Sequence, residues 1–349
     1  MITIGVDAHK RLHVATAVDD AGKEIDRWQG PNSCRGWVDL EAWAAKQGGI
    51  RQFGIEGAWG NGRGLAQQLV RSGELTFEVN SRWTAAGRRT ARQPGKTDRL
   101  DARAVALFVW REAATLPRLL EEDETALLNL LTTEREATVN ESTRLRNQIH
   151  ALLQQIDPEY GESMPGLRTK AGLARLEAYD APEGTGLQRE QAASVRRLTI
   201  RLKLALAQAD ELGARIRELA APYAGLTALC GVNLLTAGTL AAILGPGKRF
   251  STDAQLAAYA GVAPLEASSA GAVRHRLNRG GNRRLNAVLY RIALTQARSS
   301  PDAQAYLARR VSEGKTKREA RRALQRYLIR TIWRLWQVCL EPASLPSAA

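Results

Sequence analysis

The order of short apolar runs at the start of the chain limits its topology more than any other feature. "MITIGVDA" (1–8) and "HVATAVDD" (13–20) are rich in β-forming residues, and the second enters the turn "DDAG" before "KEIDRWQG" (23–30). Runs of this length bounded by turn residues read as strands, and such short connections make neighbouring strands antiparallel. The expectation is a three-stranded antiparallel meander. A helical stretch over 33–45 follows, then a buried strand in "RQFGIEG" (51–57), a helix over 59–71 and a strand in "LTFEV" (75–79).

A meander followed by alternating helix and strand is the order of ribonuclease H-like (RuvC-like) α/β folds, although other mixed folds begin the same way. From about residue 119 the pattern turns helical. Residues 119–156 read as one long polar helix, with Leu145, Ile149, Leu152 and Ile156 at 4-3-4 spacing. Residues 157–186 ("DPEYGESMPG", "YDAPEGTG") read as loop. In the next helix Leu198, Leu202, Ala205, Ala209, Leu212, Ile216 and Leu219 keep a heptad seam. Two such helices around an irregular tip predict an antiparallel coiled-coil arm, with a plain helical bundle linker as the alternative. "CGVNLLTAGTLAAILG" (230–245) reads as helix, tight turn, helix, similar to a helix-hairpin-helix module with Asn233 in place of the usual second glycine. The last helix, "KREARRALQRYLIRTIWRLWQ", has an apolar face of Ala320, Ala323, Leu324, Tyr327, Leu328, Ile332 and Leu335, with its arginines mostly off it. The expected organisation is an α/β catalytic domain over 1–115, a coiled-coil arm over 116–222 and a mostly helical C-terminal domain over 223–349.

Charge narrows the partner. Fifty lysines and arginines against 36 acidic residues leave a formal charge of +14 and a pI near 10.2. Such an excess fits a polyanion, with nucleic acid the default, and no polybasic amphipathic end points to a membrane surface. Cys34, Cys230 and Cys339 are odd in number and far apart, against a disulfide framework or zinc site. The opening residues read as a strand rather than a signal peptide, and no apolar run reaches membrane-spanning length. A cytoplasmic protein is the expectation.

Four acids fall at suggestive places. Asp7 ends the first strand, Glu56 ends the fourth, and Asp98 and Asp101 open a helix in "PGKTDRLDARAVA" (94–106). Adjacent strands of a ribonuclease H-like sheet would bring the first two together and the helix would carry the others over the same edge. Clustered carboxylates need cations, and hard oxygen ligands select Mg²⁺ or Mn²⁺. Singly, each has a simpler role: a turn residue, an N-cap, a helix-dipole partner. The stretch around the pair carries Arg82, Arg88, Arg89, Arg92, Lys96, Arg99 and Arg103, with Trp83 among them, suited to phosphates and base stacking. His9 and Lys10 follow Asp7. "PLEASSAG" places Ser268 and Ser269 just before Arg274, Arg276, Arg279, Arg283 and Arg284. A hydroxyl among arginines can act as a nucleophile toward phosphorus. A junction-resolving metal nuclease and a non-enzymatic nucleic-acid-binding protein remain as alternatives. An actin-like ATPase would need a further glycine-rich phosphate loop that the chain lacks.

The blocks "GVDAHK", "IEG", "KTDRLDARAVA", "GVNLLTAGTLAAILG", "RFSTDAQLAAYAGVAPLEASSAG" and "RHRLNRGGNRRLN" together resemble the insertion-sequence family 110 transposases, also described as DEDD transposases or bridge-RNA-guided recombinases. The resemblance covers nearly the whole chain. It implies a Mg²⁺-binding Asp-Glu-Asp-Asp set at Asp7, Glu56, Asp98 and Asp101, a coiled-coil middle, and a C-terminal transposase domain with a nucleophilic serine. It also implies DNA recombination guided by a structured non-coding RNA, and dimers that join into tetramers. The family commonly reads Ser-Ser-Gly where this chain has Ala270 and then Gly271, so Ser269 keeps the register and Ser268 is the alternative.

Overall fold

The computed structural model describes residues 1–81, 83–84, 98–181, 183–266, 275–276 and 281–340, with the backbone alone at 98, 163, 265, 266, 275 and 276. Strands β1 (Ile2–Ala8), β2 (Leu12–Val18) and β3 (Glu24–Pro31) form the expected meander, joined by β4 (Arg51–Glu56) and β5 (Leu75–Val79). The sheet order is β3-β2-β1-β4-β5; the first three strands are antiparallel, and β1, β4 and β5 are parallel. This five-stranded mixed sheet is consistent with a ribonuclease H-like N-terminal region.

Helices α1 (Cys34–Lys46) and α2 (Arg63–Arg71) cover one face of the sheet. Leu40, Ala44, Leu65 and Leu69 pack there on Ile4, Val6, Ala15, Phe53 and Ile55. Ser33 caps α1 by accepting from the Gly36 amide. The second helix starts at Arg63 rather than near Trp59, because a turn in which the Gly60 and Gly62 amides bond to the Gly57 carbonyl comes first. Helix α3 (Asp98–Glu112) lies on the opposite face, where Val105 and Val109 meet Phe77 and Val79.

The connector after α3 pairs with the sheet edge: the Leu119 amide donates to the Thr76 carbonyl and the Glu78 amide to that of Pro117. For this reason the long helix α4 (Glu124–Ile156) begins at its Asp123 cap and not at residue 119. It packs along α7 (Gly186–Leu219), whose Leu202, Ala205, Ala209 and Ile216 are buried. The segment between them is not all loop. The single turn α5 (Tyr160–Ser163) and the helix α6 (Lys170–Glu177) fold back, and Leu167 and Leu176 join Leu145, Ile149, Leu153 and Val195 in a core of their own.

The C-terminal third is helical. A 3₁₀ stretch (Ala221–Ala228) precedes α8 (Leu234–Leu244), which is capped by Asn233. The residue standing in for the expected glycine is therefore an N-cap, and residues 230–245 hold one helix instead of the expected helix, turn and helix, because 230–233 form the turn and cap that enter it. Then come α9 (Asp253–Tyr259), a two-residue pairing of β6 (Leu265–Glu266) with β7 (His275–Arg276), α10 (Arg283–Ser299), α11 (Pro301–Ser312) and α12 (Lys317–Leu340). On α12 the apolar face is buried at Ala320, Leu324, Leu328, Ile329, Ile332 and Trp336. Tyr327 is exposed instead, beside Tyr306. Among the described residues no helix is long and apolar enough to cross a membrane.

Candidate active site

The triplets Gly5-Val6-Asp7 and Gly54-Ile55-Glu56 end two adjacent parallel strands, and they are paired in register: Gly5 with Gly54, Asp7 with Glu56. Side chains two apart on a strand share a face, so both acids stand on the face of the two glycines. That face is covered by α3. A Cβ on Gly5 would lie 2.1 Å from the Ala106 nitrogen and 2.4 Å from the Ala102 carbonyl, and one on Gly54 would lie 2.2 Å from a Val109 methyl. The helix thus rests backbone to backbone on Gly5 and sets the Val109 side chain onto Gly54. The acids follow one strand repeat further on, about 6.6 Å along each strand, with neighbouring strands about 4.8 Å apart.

On α3 the buried positions are Asp101–Ala102, Val105–Ala106 and Val109, the sheet-facing stripe of a helix. Asp101 is only 5% exposed and Asp7 6%. Asp101 is thus not a solvated dipole partner but a carboxylate in a core position. Residue 98 begins the helix one turn earlier; its side chain lies outside the described residues. Burying carboxylates costs several kcal/mol each unless cations or donors compensate. Donors lie beside Asp7 and Glu56. His9 Nε2 is 3.0 Å from Asp7 Oδ2. The buried Thr84 hydroxyl lies 3.1 Å from Glu56 Oε2 and 3.0 Å from the Ser81 carbonyl, and gives its one proton to either in turn. The donor set consists of hard oxygens, which suits a divalent cation. Among the described residues, no three His, Cys, Asp or Glu side chains converge on one point.

Of the basic candidates, Arg88, Arg89, Arg92, Lys96, Arg274 and Arg279 lie outside the described residues, as do Ser268 and Ser269, and Arg276 is described by its backbone in β7. Arg283 opens α10. Arg284 is engaged within the chain: its guanidinium reaches Glu136 Oε2 at 3.0 Å, Asn129 Oδ1 at 2.9 Å and Thr132 Oγ1 at 3.1 Å on α4. Trp83 stacks on Phe108 with ring centroids 5.8 Å apart, so its indole packs against α3.

Sequence reading missed the residues that join the sheet to the C-terminal helices. Arg249, 3% exposed, forms an ion pair with Glu78 of β5 and donates to the Ile243 carbonyl at 3.1 Å. Its guanidinium lies 5.0–5.1 Å from the ring centres of Trp59, Phe250 and Tyr259. Burial alone would lower its pKa, but Tyr259 and Glu78 raise it, so it stays charged. Trp59 Nε1, three residues past Glu56, donates to the same Glu78 oxygen at 2.9 Å. Thr84 and Arg249 carry no local sequence signal.

Residues 4–158 match a DEDD transposase family of IS110, and residues 223–308 match the transposase family IS116/IS110/IS902. Among curated proteins, the chain is 28% identical to a 43.6 kDa protein of insertion element IS110 from Streptomyces coelicolor, over 95% of this chain and 93% of that one. It is 24% identical to a 42 kDa protein of insertion element IS900 from Mycobacterium paratuberculosis, over 99% and 98%.

Proposed function

This chain belongs to the IS110 family of transposases, and from that premise we propose that it cuts and rejoins DNA at the mouth of the glycine-seated helix. Transposases act on DNA, and the net charge of +14 suits that partner. The reading assigns Asp7, Glu56, Asp98 and Asp101 to hold a divalent cation, Mg²⁺ or Mn²⁺. A cation held there would supply positive charge to the attacking and leaving oxygens of phosphoryl transfer. His9 orients Asp7, and Thr84 orients Glu56. Ser269, or Ser268 in its place, attacks the phosphorus of a DNA phosphodiester: a serine Oγ–P bond forms and one P–O bond to deoxyribose breaks. The strand end leaves as a sugar hydroxyl carrying the proton lost by the serine, so that a serine–DNA phosphodiester remains, with arginines of the same segment stabilising the phosphate charge. Arg88, Arg89, Arg92, Lys96, Arg274, Arg276, Arg279 and Arg283 grip the nucleic-acid backbone. Arg284 belongs with them only if it exchanges its ties to α4 for phosphate.

The same reading divides the chain into a RuvC-like domain over 1–115, a coiled-coil arm over 116–222 and a transposase domain over 223–349. It includes a structured guide RNA, assembly as dimers that join into tetramers, and a cytoplasmic location. The observation that carries the proposal is the in-register pair Asp7–Glu56 on the sheet face covered by the helix that buries Asp101. The test is recombination between element-end and target DNA in the presence of the RNA transcribed beside the gene. Glu56→Ala and Asp98→Ala abolish strand transfer while nucleic-acid binding persists; retained recombination would sink the metal-site reading. Ser269→Ala removes the covalent adduct; an adduct that persists moves the role to Ser268, and one that survives both changes removes serine from the chemistry.

A further inference from the structure

The Arg249 contacts continue past the ion pair. Arg249 Nη2 lies 3.4 Å from the Tyr259 hydroxyl, and Asn282 Nδ2 donates to that hydroxyl at 2.9 Å. The Asn282 amide donates to the Tyr259 carbonyl at 2.6 Å, and Asn286 Nδ2 to the Ala260 carbonyl at 3.1 Å. Between these bonds the backbones cross: a Cβ on Gly281 would sit 2.3 Å from the Gly261 nitrogen. Residues 259–261 and 281–282 are thus the two crossed ends of one segment, and that segment carries Ser268 and Ser269. Its base is seated through Arg249 on Glu78, and Glu78 also accepts from Trp59 in the turn after Glu56.

An apolar contact between sheet and helices could slide. A guanidinium held by one carboxylate, one carbonyl and three rings fixes a single register, and pairing offsets part of the cost of burying it. A second tie runs parallel to it: Gln255 Nε2 donates to the Leu116 carbonyl at 2.6 Å, joining α9 to the connector after α3.

We propose that Arg249 is a positioning residue of the recombination reaction. It holds the crossed base at 259–261 and 281–282 against Glu78 and so fixes the two points between which the serine-bearing segment is strung. Arg249 touches no reacting atom; it acts through Tyr259 and Asn282. The proposal rests on the reading that a serine of this segment attacks DNA.

The test uses the full chain with DNA and RNA, comparing wild type with Arg249→Met, Arg249→Lys and Tyr259→Phe. Amide hydrogen exchange, nucleic-acid affinity and the rate of serine–DNA adduct formation are measured on each. Arg249→Met is expected to speed exchange at 259–262 and 281–286 while leaving β1 and β4 protected. Affinity stays near wild type and adduct formation slows on the order of a hundred-fold, the scale of a small misplacement of reacting groups. Arg249→Lys restores little, because an ammonium cannot reproduce the planar fork. Tyr259→Phe keeps the ring and the ion pair and removes only the hydroxyl, so it decides the matter if Arg249→Met fails to fold; about a ten-fold slowing is expected. Adduct formation at the wild-type rate in Tyr259→Phe and in any folded Arg249→Met overturns the proposal. So does exchange that rises equally in β1 and β4, which marks a general loss of fold. A wild-type chain that never forms a serine adduct overturns the nucleophile reading and this proposal with it. Wild-type adduct with indifferent variants overturns this proposal alone.

Discussion

Gly5 and Gly54 face each other across β1 and β4, and α3 lies on both. Neither position has room for a methyl group. At Gly5 the obstacle is backbone, which cannot rotate aside. Gly5→Ala is expected to lift α3 from the sheet and to cost about 1–3 kcal/mol of stability, the usual price of overpacking. Urea unfolding measures it. Strand transfer should fall further than stability does, because the lift moves Asp101 away from Asp7.

Asp101→Asn keeps the shape of a buried side chain and removes its charge. Without divalent cation the variant should melt at or above the wild-type temperature, since like charges on one face oppose each other. Added Mg²⁺ or Mn²⁺ should raise the wild-type melting temperature and leave the variant's nearly unchanged. A ligand at a hundred times its Kd stabilises by about 2.7 kcal/mol. An equal gain in both proteins would exclude Asp101 from the cation site.

His13 is fully buried, and among the described residues neither ring nitrogen has a partner in good hydrogen-bond geometry. Burial lowers its pKa, Leu12 and Asn32 partly oppose the shift, and His9 adds to it. The unfolded chain therefore takes up the proton at higher pH than the folded one. Its contribution to stability is complete above about pH 6.5 and declines as the pH falls below that value toward the lowered folded pKa. The slope is at most about 1.4 kcal/mol per pH unit. In His13→Phe, urea midpoints between pH 7 and 5 should lose this part of their pH dependence.

Arg284 reaches three acceptors on α4 from the first turn of α10. Its side chain is 27% exposed, so solvent screens part of the interaction. Arg284→Met should cost about 1–2 kcal/mol, measured by urea unfolding. A larger loss of nucleic-acid affinity than of stability would favour a phosphate-binding role.

Much of the N-terminal sheet was legible because short β-rich runs and the turn "DDAG" are local signals. The long-helix seam was legible for the same reason, and Leu202, Ala205, Ala209 and Ile216 are buried as the heptad requires. Three features were hidden. Residue 119 reads as the start of the long helix by composition, but tertiary pairing with β5 holds it extended. Residues 157–186 are rich in turn formers, yet Leu167 and Leu176 bury enough apolar surface to organise α6 beside the long helices. Arg249 and Glu78 are 171 positions apart, and nothing near either residue announces the other. At the candidate site the acids could be read as strand and helix ends, whereas the glycine seat that sets their spacing needed the register of β1 against β4.

The connector across β5 has a further consequence for how copies of this chain can meet. An uncovered edge strand invites another chain to extend the sheet through its unpaired amides and carbonyls. Here Glu78 and Thr76 bond to Pro117 and Leu119 of the same chain. At these positions β5 is closed to strand addition, and a second molecule that approaches this side finds the extended connector already paired there instead of a template for aggregation.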